Sequence, residues 1–102
     1  MATAPATIVQ RGKRRARKVQ LIYVNDFDKG ITRQRRGKGF TYVSSTGRTI
    51  RSQAILRRID SLVIPPAWEE VWICPKANGH IQAVGRDEAG RKQYLYHERW
   101  QA

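Results

Sequence analysis

The stretch EVWICPKANGHIQAVGRDEAGRKQYLYH, residues 70–97, decides the fold class. It reads as three short strands, at residues 70–74, 80–86 and 92–97. Asn78-Gly79 between the first two is a strong signal for a two-residue hairpin, and residues 87–90, DEAG, form a second turn. Because both connections are short, we expect the three strands to pair in chain order as an antiparallel meander.

Upstream of this stretch, residues 52–63, SQAILRRIDSLV, predict a helix. Its apolar side chains fall in one arc of roughly 120° at helical spacing: Ile55, Leu56, Ile59, Leu62 and Val63. Ser52 is a suitable N-cap, and Pro65-Pro66 ends the helix because proline removes backbone donors. The apolar arc is expected to face the core, with Arg57 and Arg58 on a solvated face.

The remaining residues add further strands. QLIYV (20–24) and FTYVSS (40–45) are strand-like, and residues 25–30 and 45–48 read as turns. Between them, ITRQRRGKGF (31–40) suggests strand-like ends around a flexible basic loop. The sequence therefore predicts an α+β fold, an antiparallel sheet of about five strands with one or two short helices, the second near the carboxyl end.

Charge indicates the class of partner. The 102 residues hold 20 Lys and Arg against 8 Asp and Glu, a net charge of +12, and about 40% of them are hydrophobic. This length predicts one domain with a modest core. Residues 1–58 carry fifteen basic and two acidic side chains, whereas residues 59–102 carry five and six. We therefore expect an anionic partner that meets the first half.

Six of the basic residues lie within positions 11–18. We interpret residues 1–18 as a flexible basic tail that binds phosphates nonspecifically, and residues 19–102 as the folded domain. Two other interpretations remain open for the tail: an organelle transit peptide, or a solvated and dispensable end.

Several function classes find no support. No apolar run is long enough for a membrane span, and a single cysteine excludes an internal disulfide and disfavours a zinc site. These features predict a cytoplasmic protein without a metal or cofactor. Cys74, His80 and His97 have neither a nucleophile motif nor a metal-ligand spacing, and the Gly-Lys-Gly at 37–39 is not a phosphate-binding loop. No catalytic residue is predicted in this chain.

Nucleic-acid binding fits the last strand better. Lys92, Tyr94 and Tyr96 would share its outward face, with Leu95 buried. Lysine supplies phosphate contacts, tyrosine offers a flat ring and a hydroxyl, and Gln93 could pair with an adenine edge if twisted outward. Two ordinary sheet tyrosines explain the composition equally well.

The other aromatic residues are assigned to the core or its edge: Tyr23, Phe40, Tyr42, Trp68 and Trp72.

A set of ordered motifs carries a resemblance to a known family: IPPAW at 64–68, VWICP at 71–75, GHIQA at 79–83, GRD at 85–87, GRKQY at 90–94 with Tyr96-His97, and GITRQRRGKGFTYV at 30–43. The region 20–102 resembles the N-terminal domain of bacterial and poxvirus-type type IB DNA topoisomerases. Val84 and Leu95 depart from the family pattern and affect minor contacts.

The resemblance implies that this domain clamps the major-groove side of duplex DNA together with a C-terminal catalytic domain. That domain would carry the tyrosine nucleophile. With it, the full-length protein would relax supercoiled DNA without ATP through a 3′-phosphotyrosyl intermediate, and this chain alone should be inactive. The family's DNA-contacting positions map onto Gln93, Tyr94 and Tyr96. Neighbouring cations complete the expected DNA-binding set: Arg91, Lys92, Arg33, Arg35, Arg36 and Lys38.

The resemblance also implies a monomeric protein of the bacterial nucleoid. Two other classes remain open. One is a nonenzymatic basic RNA-binding or ribosomal-type module, and the other is a protein-docking domain that uses Trp68 and Trp72.

Overall fold

The computed structural model describes residues 20–100, which form one five-stranded antiparallel sheet and one helix. The elements in chain order are β1 (Ile31–Arg36), β2 (Gly39–Val43), α1 (Gln53–Leu62), β3 (Glu69–Ile73), β4 (Ile81–Arg86) and β5 (Lys92–Tyr96). The strand order across the sheet is β2-β1-β3-β4-β5. This confirms the predicted α+β class and the meander of the last three strands.

Where a second helix was expected, Trp100 N–H donates to the His97 carbonyl at 2.9 Å and closes a turn, so α1 is the single helix within residues 20–100.

The predicted tail, residues 1–18, and the boundary at 18/19 lie outside the described residues. No helix in the described part of the chain is long and apolar enough to cross a membrane.

The sheet has two distinct faces, set by the alternation of side chains along each strand. On the helix face, Ile31 pairs with Ile73, and Ala83 with Leu95, and these side chains pack against Ile59 of α1. The opposite face, here called the open face, carries the next residues along each strand, from Thr32 on β1 to Tyr94 on β5. Residues 22–28 cover the middle of the open face, where Trp72 and Val84 are buried, so its uncovered part lies toward the edges of the sheet.

Helix α1 begins as predicted, since the Ser52 hydroxyl accepts the Ile55 N–H at 3.3 Å. Its end differs from the prediction. Val63 takes the left-handed conformation with φ of 52° and its N–H donates to the Asp60 carbonyl, so its side chain is 78% exposed. Because this conformation ends the helical period at Leu62, Val63 leaves the apolar arc to which the sequence assigned it.

The predicted strand at residues 20–24 is wrong. Ile22 makes only a single parallel bridge with Gly79, in which Ile22 N–H donates to the Asn78 carbonyl at 2.9 Å. Both edges of β4 are already occupied by β3 and β5, so the segment cannot join the sheet there. It lies instead over the open face, where Val24 packs against the cluster that contains Trp72.

The flexible basic loop expected within residues 31–40 is also wrong. Strands β1 and β2 pair up to Arg36 and Gly39, and only Gly37 and Lys38 form the turn between them. Gly37 has a φ of 56°, a conformation that glycine adopts without steric cost. The basic side chains of this hairpin are therefore held on strands rather than on a loop.

The two-residue hairpin expected at Asn78-Gly79 does not form, because residues 74–80 make a longer connection. The type I′ turn that Asn-Gly favours needs a positive φ at both central residues, and neither Asn78 nor Gly79 has a positive φ. Gly79 is required for a different reason, since a Cβ there would lie 2.5 Å from the Cys74 sulfur. The glycine at position 79 is thus explained by its close packing against Cys74.

Candidate nucleic-acid interface

Strand β5 presents two tyrosines to solvent on the open face. Tyr94 is 39% exposed and Tyr96 is 50% exposed, whereas Leu95 between them packs against the core of the helix face. Because β5 is the edge strand of the sheet, no other strand within residues 20–100 shields these rings. The outward orientation that the sequence predicted for Lys92, Tyr94 and Tyr96 is confirmed.

The tyrosine rings continue into a third aromatic ring. The ring centroids of Tyr94 and Tyr96 are 6.0 Å apart with an interplanar angle of 18°, and those of Tyr96 and Trp100 are 6.5 Å apart at 19°. The turn after β5 brings Trp100 into this position. We call Tyr94, Tyr96 and Trp100 the aromatic row, and all three rings are close to parallel.

Two more rings support the end of the aromatic row. Trp100 meets His80 edge-on at 4.8 Å and Tyr23 at 5.5 Å, and Tyr23 stacks on His80 at 4.8 Å. His80 is fixed by a bond from the Val24 N–H to its Nδ1 at 3.1 Å. Tyr23 is 78% exposed, so its assignment to the core or its edge is wrong. Sequence reasoning missed this neighbourhood because its members are distant in the chain.

Lys92 begins the strand on the same face as the tyrosines. Its ammonium pairs with Asp26 at 3.0 Å and lies 5.6 Å from the ring centroids of Phe27 and Tyr94. The hydrogen bond to Asp26, which favours the charged form, raises the pKa of Lys92. The cation is thus placed beside the aromatic row and already holds a carboxylate.

Gln93 and Arg91 lie at the turn before the aromatic row and share one partner. Asp87 accepts from Gln93 Nε2 at 3.0 Å, from Arg91 Nε at 3.0 Å and from the Arg91 N–H at 2.9 Å. The backbone N–H of Arg91 is the main cause that lowers the pKa of Asp87, and the two side-chain donors add to it. Gln93 is half-buried and directed toward this carboxylate, not twisted outward.

The basic hairpin divides between the two faces. Arg33 donates to the carbonyls of Pro65 and Trp68, both at 2.9 Å, and Arg35 donates to the carbonyl of Pro66 at 3.2 Å. Both guanidinium groups also lie over the Phe40 ring, at 4.1 and 5.1 Å from its centroid. Burial lowers the pKa of Arg33, which stays cationic. These two arginines hold the segment after α1 against the sheet.

Arg35, Arg36 and Lys38 are exposed and Arg33 is half-buried; among the described contacts of these four residues, only Arg33 and Arg35 donate to carbonyls. Arg36 follows Thr32 and Gln34 in the alternation of β1, which places it on the open face. Strand β1 lies three strand positions from β5, about 14 Å at the usual spacing of neighbouring strands. The expected DNA-binding residues therefore fall into three groups and do not form one continuous patch. One group lies on β5 and at the turn before it, the second is Arg33 and Arg35 on the helix face, and the third is Arg36 and Lys38.

A buried polar network, missed at the level of sequence, fixes the connection that carries His80. Gln82 is 3% exposed, and its Nε2 donates to the carbonyls of Gly79 at 2.8 Å and Lys76 at 3.2 Å. Arg58 of α1 donates to Gln82 Oε1 and to the Cys74 carbonyl. Burial lowers the pKa of Arg58, and its expected solvated position is wrong. A polar residue inside an otherwise apolar strand was the available signal.

The residues considered for catalysis or metal binding are not brought together. Cys74 is buried, and His97 Nδ1 accepts the Arg99 N–H at 3.0 Å. Burial lowers the pKa of His97. Within residues 20–100, no group of three or more His, Cys, Asp or Glu side chains could hold a metal ion.

The described residues thus define a small basic α+β domain whose edge strand presents parallel aromatic rings and a lysine to solvent. Residues 39–87, from β2 through β4, match the family model "Bacterial DNA topoisomerase IB, N-terminal domain". The chain is also 42% identical over 69 residues to the DNA topoisomerase 1B of Acanthamoeba polyphaga mimivirus. The chain therefore carries an N-terminal domain of the type IB DNA topoisomerase family, which confirms the resemblance.

The alignment with the mimivirus protein covers 68% of this chain and 20% of that protein. The chain thus accounts for about a fifth of its relative. The range matched by the family model ends at Asp87, before β5.

Proposed function

We propose that this domain binds duplex DNA through the open face at β5, as the clamp half of a type IB topoisomerase. The observation that carries the proposal is the exposure of Tyr94 and Tyr96 on an edge strand of a domain in this family. The full-length protein would relax supercoiled DNA by ATP-independent cleavage and religation of one strand through a 3′-phosphotyrosyl intermediate. The catalytic residues would come from its C-terminal domain, and this domain alone would be inactive.

The shape of the edge supports docking in the major groove. The groove of B-DNA is about 12 Å wide and admits a two-stranded β-ribbon, and β4 and β5 form such a pair at the edge of the sheet. Tyrosine hydroxyls on this edge can donate to base edges or phosphate oxygens, and the rings can contact the thymine methyl group. Gln93 and Arg91 follow at the neighbouring turn, where Asp87 orients both side chains.

Lys92 would supply a phosphate contact next to the tyrosines. Its ammonium now pairs with Asp26 at 3.0 Å, and a DNA phosphate is a competing anion of higher charge density. When the domain docks, Lys92 must therefore either release the Asp26 carboxylate and bind a phosphate, or contact both anions at once. Asp26 then lowers the affinity for DNA and holds Lys92 in place before binding.

The basic hairpin would make a second set of contacts. Arg36 and Lys38 are exposed about 14 Å from β5 across the sheet, so they would reach phosphates outside the groove that β5 occupies. Arg33 and Arg35 would contribute to the potential but not to direct contacts, since carbonyls already hold their guanidinium groups. We thus assign direct phosphate binding to Arg36 and Lys38.

The proposal is tested by NMR titration of the 102-residue chain with a 20-base-pair duplex. The backbone amides of β5 and of the Gly37-Lys38 turn are expected to shift, and the affinity is expected to fall steeply with salt because bound cations release counterions. Tyr94→Phe and Tyr96→Phe should weaken binding, whereas Tyr42→Phe on the helix face should not. Shifts confined to residues outside β5 and this turn, or tighter binding of structured RNA in competition, would contradict the proposal.

A further inference from the structure

The aromatic row has a spacing that duplex binding does not require. Alternate residues of a strand lie about 6.7 Å apart, and the ring centroids of Tyr94, Tyr96 and Trp100 follow at 6.0 and 6.5 Å. This is close to twice the 3.4 Å step between stacked bases. Because a centroid distance is the upper limit of the gap between two ring planes, neighbouring rings would have to part by at least about 0.3–0.8 Å to admit one base stacked on both sides.

We propose that the aromatic row binds single-stranded DNA by stacking unpaired bases between and on the rings of Tyr94, Tyr96 and Trp100. Bases in an intact duplex are already stacked on each other and cannot enter these gaps. Bases of a melted or gapped strand have free faces, and aromatic side chains bind such faces with little preference for sequence. This site goes beyond the proposed duplex contact, which uses ring edges and hydroxyls.

The surroundings of the row provide the cations that a single strand needs. Lys92 lies at one end, 5.6 Å from the Tyr94 ring centroid, and Arg99 precedes Trp100 in the chain. A backbone that passes along the row would meet the Lys92 ammonium beside Tyr94, as in the positively charged grooves of single-strand-binding proteins. Two acidic side chains lie near these cations: Asp26 pairs with Lys92 at 3.0 Å, and Glu98 precedes Arg99 in the chain.

The rings are also held firmly enough to act as a platform. Tyr94 and Tyr96 are anchored by the antiparallel pairing of β4 and β5. Trp100 is supported from behind by the edge contacts to His80 and Tyr23, and His80 is itself bonded to the Val24 N–H. These contacts fix the backbone of β5 and the position of Trp100, which lowers the ordering cost of binding.

The test uses the 102-residue chain and an oligothymidylate of eight nucleotides that contains one 2-aminopurine, whose fluorescence is quenched when it stacks. Residues 1–18 contain no aromatic side chain, so nonspecific binding by this basic segment cannot produce the stacking signal. We expect saturable quenching. Tyr96→Leu, which removes the central ring, should weaken binding about 5- to 150-fold, the range for loss of one stacked ring.

The matched control is Tyr96→Phe, which keeps the ring and removes the hydroxyl. It should retain quenching of the single strand while it weakens duplex binding, so the two proposals can fail separately. Tyr42→Leu on the helix face serves as a second control, and circular dichroism verifies that each variant is folded. Equal quenching by Tyr96→Leu and Tyr96→Phe, or no quenching by the unchanged protein, would overturn the inference and leave duplex binding standing.

Discussion

The substitution Gln82→Met probes the buried network that fixes the connection between β3 and β4. Methionine has a similar length, so the change removes hydrogen bonds without leaving a large cavity. Gln82 Nε2 carries two hydrogens that serve the Gly79, Lys76 and Ala77 carbonyls, and Oε1 accepts a charge-assisted bond from Arg58.

The expected loss follows from these bonds. Two neutral hydrogen bonds contribute about 1 kcal/mol each and the bond to the guanidinium about 1.5–3 kcal/mol. After a partial offset from burying the thioether, the free energy of unfolding should fall by about 3 kcal/mol. For a domain of this size that corresponds to a drop in Tm of roughly 12–24 °C.

Urea denaturation followed by tryptophan fluorescence measures this loss. Gln34→Met, on the exposed side of β1, is the matched control and should change stability by less than about 0.5 kcal/mol. Because Arg58 is the charged partner, the double variant Arg58→Met/Gln82→Met should be less destabilised than the sum of the single variants. A loss below about 1 kcal/mol for Gln82→Met, or strictly additive effects, would refute the assigned role.

Three further predictions concern the charged groups. Asp26→Asn leaves Lys92 free for phosphate, so duplex affinity should rise about 2- to 5-fold by fluorescence anisotropy; unchanged affinity would mean that Lys92 does not bind DNA. Burial lowers the pKa of His97 from 6.5, so the unfolded chain takes up the proton first. The free energy of unfolding should therefore be highest above about pH 6.5 and decline as the pH falls below it. The decline should be smaller in His97→Gln, and equal declines of the two proteins in urea titrations at each pH would contradict this. Arg33→Met should lower the free energy of unfolding by about 2 kcal/mol through its two carbonyl bonds. Arg36→Met should instead leave stability unchanged and reduce by about 1 the slope of log affinity against log salt concentration for duplex binding. A loss of stability in Arg36→Met, with the smaller slope in Arg33→Met, would exclude this division of roles.

Local patterns predicted much of the fold. The alternation in residues 92–96 correctly separated Leu95 from the outward tyrosines, because a strand imposes a period of two on every side chain. The helix followed from its apolar period and its Ser52 cap. These features depend on neighbours in the chain, and the sequence contains them directly.

Features that depend on distant partners were not predictable in this way. Arg33 and Arg35 looked like phosphate-binding residues, yet their acceptors are carbonyls more than thirty residues away. Trp100 joins the tyrosines only because a turn redirects the chain after β5, and Tyr23 reaches it by crossing the open face. Charge count alone therefore pointed to the hairpin as a whole, whereas the structure leaves only Arg36 and Lys38 of its cations free of these carbonyl contacts.

The central claim, that β5 faces the major groove, is tested most directly by photocrosslinking to a duplex that carries 5-bromouracil in place of thymine. The bromine occupies the position of the thymine methyl group in the major groove. The account predicts that mass spectrometry of the adducts finds the crosslink on Tyr94 or Tyr96. Efficient crosslinking confined to residues 1–18 or to the helix face would contradict it.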